Sequence, residues 1–158
     1  MTVSEYNHSV RQCSDDLYRF ALRYSNLSAA AEDAVQDAFL ALWERRGEVE
    51  AAGARGYLLR VLYRRLVDQH RHDAVVRRAT PAPADEAYAQ HDRFELRDAL
   101  SQALAQLPEQ QRALVLLRDL EGYDYAALAA TTGLSEQQVG VYLFRARKTL
   151  KKLLEDYR

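Results

Sequence analysis

Four histidines, a single cysteine and a pair of aspartates one helical turn apart are where a chemical function would first be sought in this sequence. His8, His70, His72 and His91 are scattered, with neither the HExxH spacing of a metal site nor the context of a nucleophilic triad. Asp33 and Asp37 share one helix face and could in principle hold a metal, but a solvated or docking face explains them more simply. Cys13 stands alone, so no intrachain disulfide or thiolate metal cluster is expected. No glycine-rich phosphate loop occurs. The sequence therefore points away from an enzyme: no catalytic residue, metal ligand or cofactor is expected.

What remains is cationic. Between Arg55 and Arg78 lie seven arginines against only Asp68 and Asp73. Arg60, Arg64 and Arg71 recur at offsets of four and seven, which aligns them in one stripe on a helix. A second basic group, Arg145, Arg147, Lys148, Lys151 and Lys152, lies near the other end. The net charge of −1 conceals this separation, and phosphate attraction follows the local field rather than the sum. For the arginine stripe, DNA contact competes with salt bridging to the acidic face of a neighbouring helix.

The second basic group follows YAALAATTGLSEQQVGVYLFRARKTL, in which Ala129, Gly133 and Val139 have the spacing of a helix-turn-helix. Steeply crossing helices need a small residue such as Ala129 at their closest approach. The tight turn needs a residue tolerant of positive φ, Gly133, and Val139 is the apolar anchor of the second helix. Ser135 and Gln138 fit a capping box. A plain helical hairpin would use a similar Gly turn and Ser cap, but the basic tail can neutralise phosphates beside a helix in the major groove.

The elements that must position these residues are helical throughout. Glycine (6) and proline (3) are scarce, 48% of the residues are hydrophobic and 28% charged, and no run approaches the length of a membrane span. The N-terminus, MTVSEYNHSV, is polar and unlike a secretory signal, so a cytoplasmic protein is expected. Apolar periodicity predicts helices over about 5–24, from Ser28 as N-cap to about Glu44, over 57–72 and over 93–106. Another starts at Pro108 and ends at Gly122 in a left-handed turn, followed by 125–130 and a last helix from about Glu136. Gly47, Gly53 and Gly56 suggest a loop. Pro81 and Pro83, among small and acidic neighbours, read as a linker. The expected architecture is all-α: small domains at 1–78 and 93–158, joined by a flexible linker at 79–92 and presenting separate cationic surfaces.

With these elements in order, the chain resembles the extracytoplasmic-function (ECF) group of bacterial sigma factors over nearly its full length. AAEDAVQDAFLALWERR resembles their region two, YLLRVLYRRLVDQHRH the helix that handles the minus-ten element, and LPEQQRALVLLRDLEGYDYAALAATTGLSEQQVGVYLFRARKTLKKLL their region four. The resemblance implies an alternative sigma factor that binds core RNA polymerase (β and β′ subunits) and promoter DNA, with an anti-sigma factor as a further partner and no membrane insertion. It assigns polymerase binding to Asp33, Gln36, Asp37, Leu40 and Glu44, and the minus-ten region to Arg55, Arg60, Arg64, Arg65 and Arg71. Capture of an unstacked base would fall to the loop from Gly47 to Arg55, and minus-thirty-five contacts to Ser135, Gln137, Gln138, Val141, Arg145, Arg147 and Lys148.

The chain departs from the family at Tyr57, where Trp is usual, and at Arg64, where Asn is usual. In the last helix Gly140, Val141 and Tyr142 replace the frequent Lys, Ser and Arg. Gly140 suggests either close approach of the backbone to a phosphate or simple packing. Gln can bond adenine bidentately, and Val141 could touch a thymine methyl. The competing function is a stand-alone helix-turn-helix regulator, against which the first domain and the linker argue.

Overall fold

The computed structural model describes residues 1–79 and 95–155, with side chains over 1–76 and 99–155. The expected linker, 79–92, lies almost wholly outside the described residues; its first residue, Ala79, ends a helix. All regular structure among the described residues is helical.

Helix α1 spans Val3–Ser25 and begins earlier than the periodicity suggests, because Thr2 and Glu5 close a reciprocal capping box. It ends at Asn26, whose φ of 61° makes a left-handed cap. Helix α2 spans Ser28–Glu44. Ser28 is its first helical residue rather than its cap: the first helical bond runs from the Ala31 amide to the Leu27 carbonyl, and no side chain caps the end. The glycine-rich loop holds a 3₁₀ turn at Ala51–Gly53, but Gly56 falls inside α3, Ala54–Ala79. That helix runs past the expected end near His72. Leu17, Phe20, Ala21 and Tyr24 of α1, the alanine-rich inner face of α2, and Leu58, Leu59, Leu62 and Leu66 of α3 form the first core.

In the second half, α4 spans Glu95–Ala105 and α5 Glu109–Val115, with Pro108 as the residue just before α5. A π-helical turn, Leu116–Leu120, continues α5, and Gly122 then turns the chain with φ +79°. Helix α6 spans Tyr125–Thr132 and α7 Glu136–Glu155. Leu114, Leu116, Leu117, Leu128, Val139, Leu143 and Ala146 are buried between them.

The two halves do not stand apart. Their buried residues form one continuous cluster, with α6 packed on α3, and α4 and the π turn on α1. Arg112 of α5 is 4% exposed at this joint. It donates to the carbonyls of Leu104 and Ala105 at 2.9 Å and of Tyr24 at 3.3 Å, while its guanidinium lies 5.0 Å from the Tyr24 ring centre. These carbonyls belong to the last turns of α4 and α1, so one buried cation caps two helix C-termini, where the dipoles are negative. Burial lowers the pKa of Arg112 from its usual value.

Candidate nucleic-acid and polymerase interfaces

On α2, Asp33, Gln36, Leu40 and Glu44 are exposed along the face opposite Ala31, Ala34, Ala38 and Leu42. Leu40 is 55% exposed among polar neighbours. Asp37 is half-buried and engaged: its Oδ2 accepts from Arg65, with N···O distances of 2.6 and 2.7 Å.

That pairing begins to sort the arginines of α3. Arg65 holds Asp37 on α2, so for this residue the salt-bridge alternative is the one realised. Arg71 donates to Glu109 of α5 at 2.9 Å. Arg55 donates to Asp16 of α1 at 3.0 Å and to the Tyr123 hydroxyl at 3.4 Å. Arg60 and Arg64 are exposed and carry no ion pair among the described residues; Arg60 lies 6.0 Å from the Tyr57 ring centre. Both line a cleft of about 360 Å³ with Asp68 and Arg71, and the opposite wall is the helix-turn-helix turn, 130–133. In the loop from Gly47 to Arg55, Glu48 pairs with Arg45 at 3.3 Å and the glycines are exposed.

The helix-turn-helix has the expected local build. Gly133 ends α6 with φ +81°, Val139 is fully buried, and Ala129 is half-buried between the helices. The Ser135 hydroxyl accepts from the Gln138 amide at 3.1 Å, and the Gln138 side chain accepts from the Ser135 amide at 3.0 Å. Both side chains are thus drawn into capping α7. Gln137, Val141, Arg145 and Lys148 are exposed, with the Arg145 guanidinium 5.8 Å from the Tyr142 ring centre. Arg147 is a brace: it grips Asp119 of the π turn with distances of 2.7 and 3.1 Å, and that carboxylate raises its pKa. Phe144, absent from the sequence-based set, is 67% exposed. Its offset of three from Val141 and seven from Gln137 was a signal that could have found it.

The halves are also joined by ions. Glu121, held inward by the π turn with its side chain 5% exposed, receives Arg19 at 2.8 Å and Arg23 at 3.5 Å.

A three-helix module with one polar exposed face and an arginine-lined cleft, followed by a helix-turn-helix module with a basic last helix, defines a two-module promoter-recognition protein. Comparison with known proteins agrees. Sigma-70 region 2 matches residues 10–75 and Sigma-70 region 4 matches residues 97–150. The ECF RNA polymerase sigma factor SigM of Mycobacterium tuberculosis is 32% identical over 154 residues, covering 94% of this chain and 76% of its own length. SigL of the same organism is 30% identical over 151 residues, covering 89% and 83%. In fold, the chain is similar to the sigma factor RpoE solved with the anti-sigma factor NepR from Bartonella quintana, with a TM-score of 0.77, 24% identity and coverage of 99% and 100%. It is also similar to CnrH solved with the cytosolic domain of CnrY, with a TM-score of 0.74, 22% identity and coverage of 96% and 88%. The chain belongs to the ECF family of RNA polymerase sigma factors. It is an alternative sigma factor, a factor for promoter-specific transcription initiation.

Proposed function

We propose that this sigma factor docks on the β and β′ subunits of core polymerase through the outward face of α2, centred on Leu40. Arg60 and Arg64 hold DNA at the minus-ten region, and α7 enters the major groove at the minus-thirty-five region. The carrying observation is the sorting of cations on α3: Arg55, Arg65 and Arg71 are bound to carboxylates of the chain itself, whereas Arg60 and Arg64 keep their charge for an external anion. The factor does no chemistry itself, works in the cytoplasm and leaves catalysis to the polymerase. No helix among the described residues is long and apolar enough to cross a membrane. A closed state in which the halves pack together would suit an anti-sigma partner, as the similar sigma factor RpoE was solved with the anti-sigma factor NepR.

Elements centred 25 base pairs apart are separated by about 85 Å at 3.4 Å per pair. A compact chain of this length has a radius of gyration of only about 15 Å. The packed arrangement cannot reach both, so the halves must part on the promoter.

The decisive test is run-off transcription with polymerase core that lacks any sigma. Adding the chain should start specific transcripts, and Leu40→Glu should lower core affinity about tenfold or more without changing the thermal midpoint. Arg60→Ala with Arg64→Ala should weaken promoter opening and reduce the log–log salt slope by about 1 per arginine. If core plus chain initiates nowhere, while the chain alone grips duplex DNA tightly, it is a stand-alone regulator instead.

A further inference from the structure

We propose that the outward stripe of α7 reads thymine C5-methyl groups through Val141 and Phe144, so that upstream specificity rests on apolar contact instead of hydrogen bonds to guanine. This rests on α7 being the DNA-reading helix.

The stripe follows from helix geometry. Val139, Leu143, Ala146 and Leu150 are buried on one side of α7. Gln137, Val141, Phe144 and Lys148, spaced by four, three and four, lie directly opposite, and all are exposed. Phe144, at 67%, is the most exposed of the large hydrophobic side chains among the described residues, and Val141 is 43% exposed. Two uncovered apolar side chains beside each other on a solvent face are costly unless a partner covers them. Charge says which partner: Arg145, Lys148, Lys151 and Lys152 follow the pair along the same helix, and all are exposed. An apolar pair continued by a cationic stretch suits a polyanion with apolar atoms on its inner surface. In the major groove, which admits a helix, the base-edge group of that kind is the thymine methyl.

The chemistry of the stripe argues against the commonest alternative. Guanine is usually read by Arg or Lys, yet the outward positions before Lys148 are Gln, Val and Phe, and Arg145 is turned over the Tyr142 ring. Val141 and Phe144 are about 4.5 Å apart along the axis at 1.5 Å per residue, close to one base step, so they meet neighbouring thymines. Gln137, about 6 Å before Val141 on the same rise, has the two-ended amide that fits adenine.

The test uses holoenzyme reconstituted from core and the full chain, and duplexes randomised through the upstream element. Selection should enrich adjacent thymines. Resynthesis of a selected duplex with deoxyuridine in their place, which removes only the methyls, should weaken binding about fourfold per methyl. Phe144→Ala and Val141→Ala should each bind the thymine duplex less well and the uridine duplex as well as the wild type does. Because both side chains are exposed, core affinity and thermal midpoint should not change. Equal wild-type binding to the thymine and uridine duplexes would overturn the proposal while leaving α7 as the reading helix. So would a thymine preference that survives Phe144→Ala, or a Phe144→Ala defect in core affinity with an unchanged thymine-to-uridine ratio. If selection enriches no upstream sequence, the reading of α7 itself falls, and this proposal with it.

Discussion

Gly140 sits at the edge of α7 beside Tyr125. A Cβ added there would meet the Tyr125 ring at 3.5 Å, an ordinary contact, so space alone does not demand glycine. Glycine within a helix costs about 0.5–1 kcal/mol relative to alanine. Gly140→Ala should therefore raise stability by about that amount, measured by chemical denaturation, and should leave promoter affinity unchanged if packing is all that glycine serves. A loss of affinity would assign the bare backbone to a phosphate. At Asp16, hydrogen bonds from Arg55 and Arg19 hold the carboxyl below its ordinary value of 3.8. A depressed folded pKa stabilises above the unfolded value and is lost as pH falls through the folded one. The stability gap between wild type and Asp16→Asn should thus be full above pH 3.8 and close below it. Sequence could not choose between DNA and carboxylates for the arginines of α3. Their partners Asp16, Asp37 and Glu109 are set by tertiary packing across separate elements, to which the stripe at offsets four and seven is blind.

Local chemistry made most elements legible and explains the misses. The Ser135–Gln138 box, Gly133 and Val139 are written in adjacent residues, and the helix-turn-helix could be read from them directly. The box at Thr2 and Glu5 was equally plain, yet apolar spacing, which starts only at Tyr6, hid it. Ser28 has the residue type of a cap, but the helical bonds already begin at the Leu27 carbonyl. The π turn at Leu116–Leu120 has no marker in the sequence, since its leucines fit a regular helix as well. It nevertheless aims Glu121 at α1 and Asp119 at α7. At this scale Ser135→Ala should cost about 1 kcal/mol by removing the cap of α7. A fall in urea midpoint with an unchanged slope would show it.

The whole molecule is where periodicity could say least. Each half has its own inner faces, and nothing in their pattern announces that Arg112 will cap α1 and α4 together or that Glu121 will receive Arg19 and Arg23. The separate modules read from the sequence are there, but they are shut against each other. Binding that requires a minor, separated population is weakened by the scarcity of that population, at a factor of ten for each ~1.4 kcal/mol of closure. The joint is thus a threshold to be overcome before both promoter elements can be held at once. Replacing Arg19 and Arg23 together with alanine strands the nearly buried Glu121 carboxylate and loosens closure. Two measurements should then move in opposite directions: the melting temperature falls, while the affinity of the reconstituted holoenzyme for promoter DNA rises. A less stable fold should then be the better initiator.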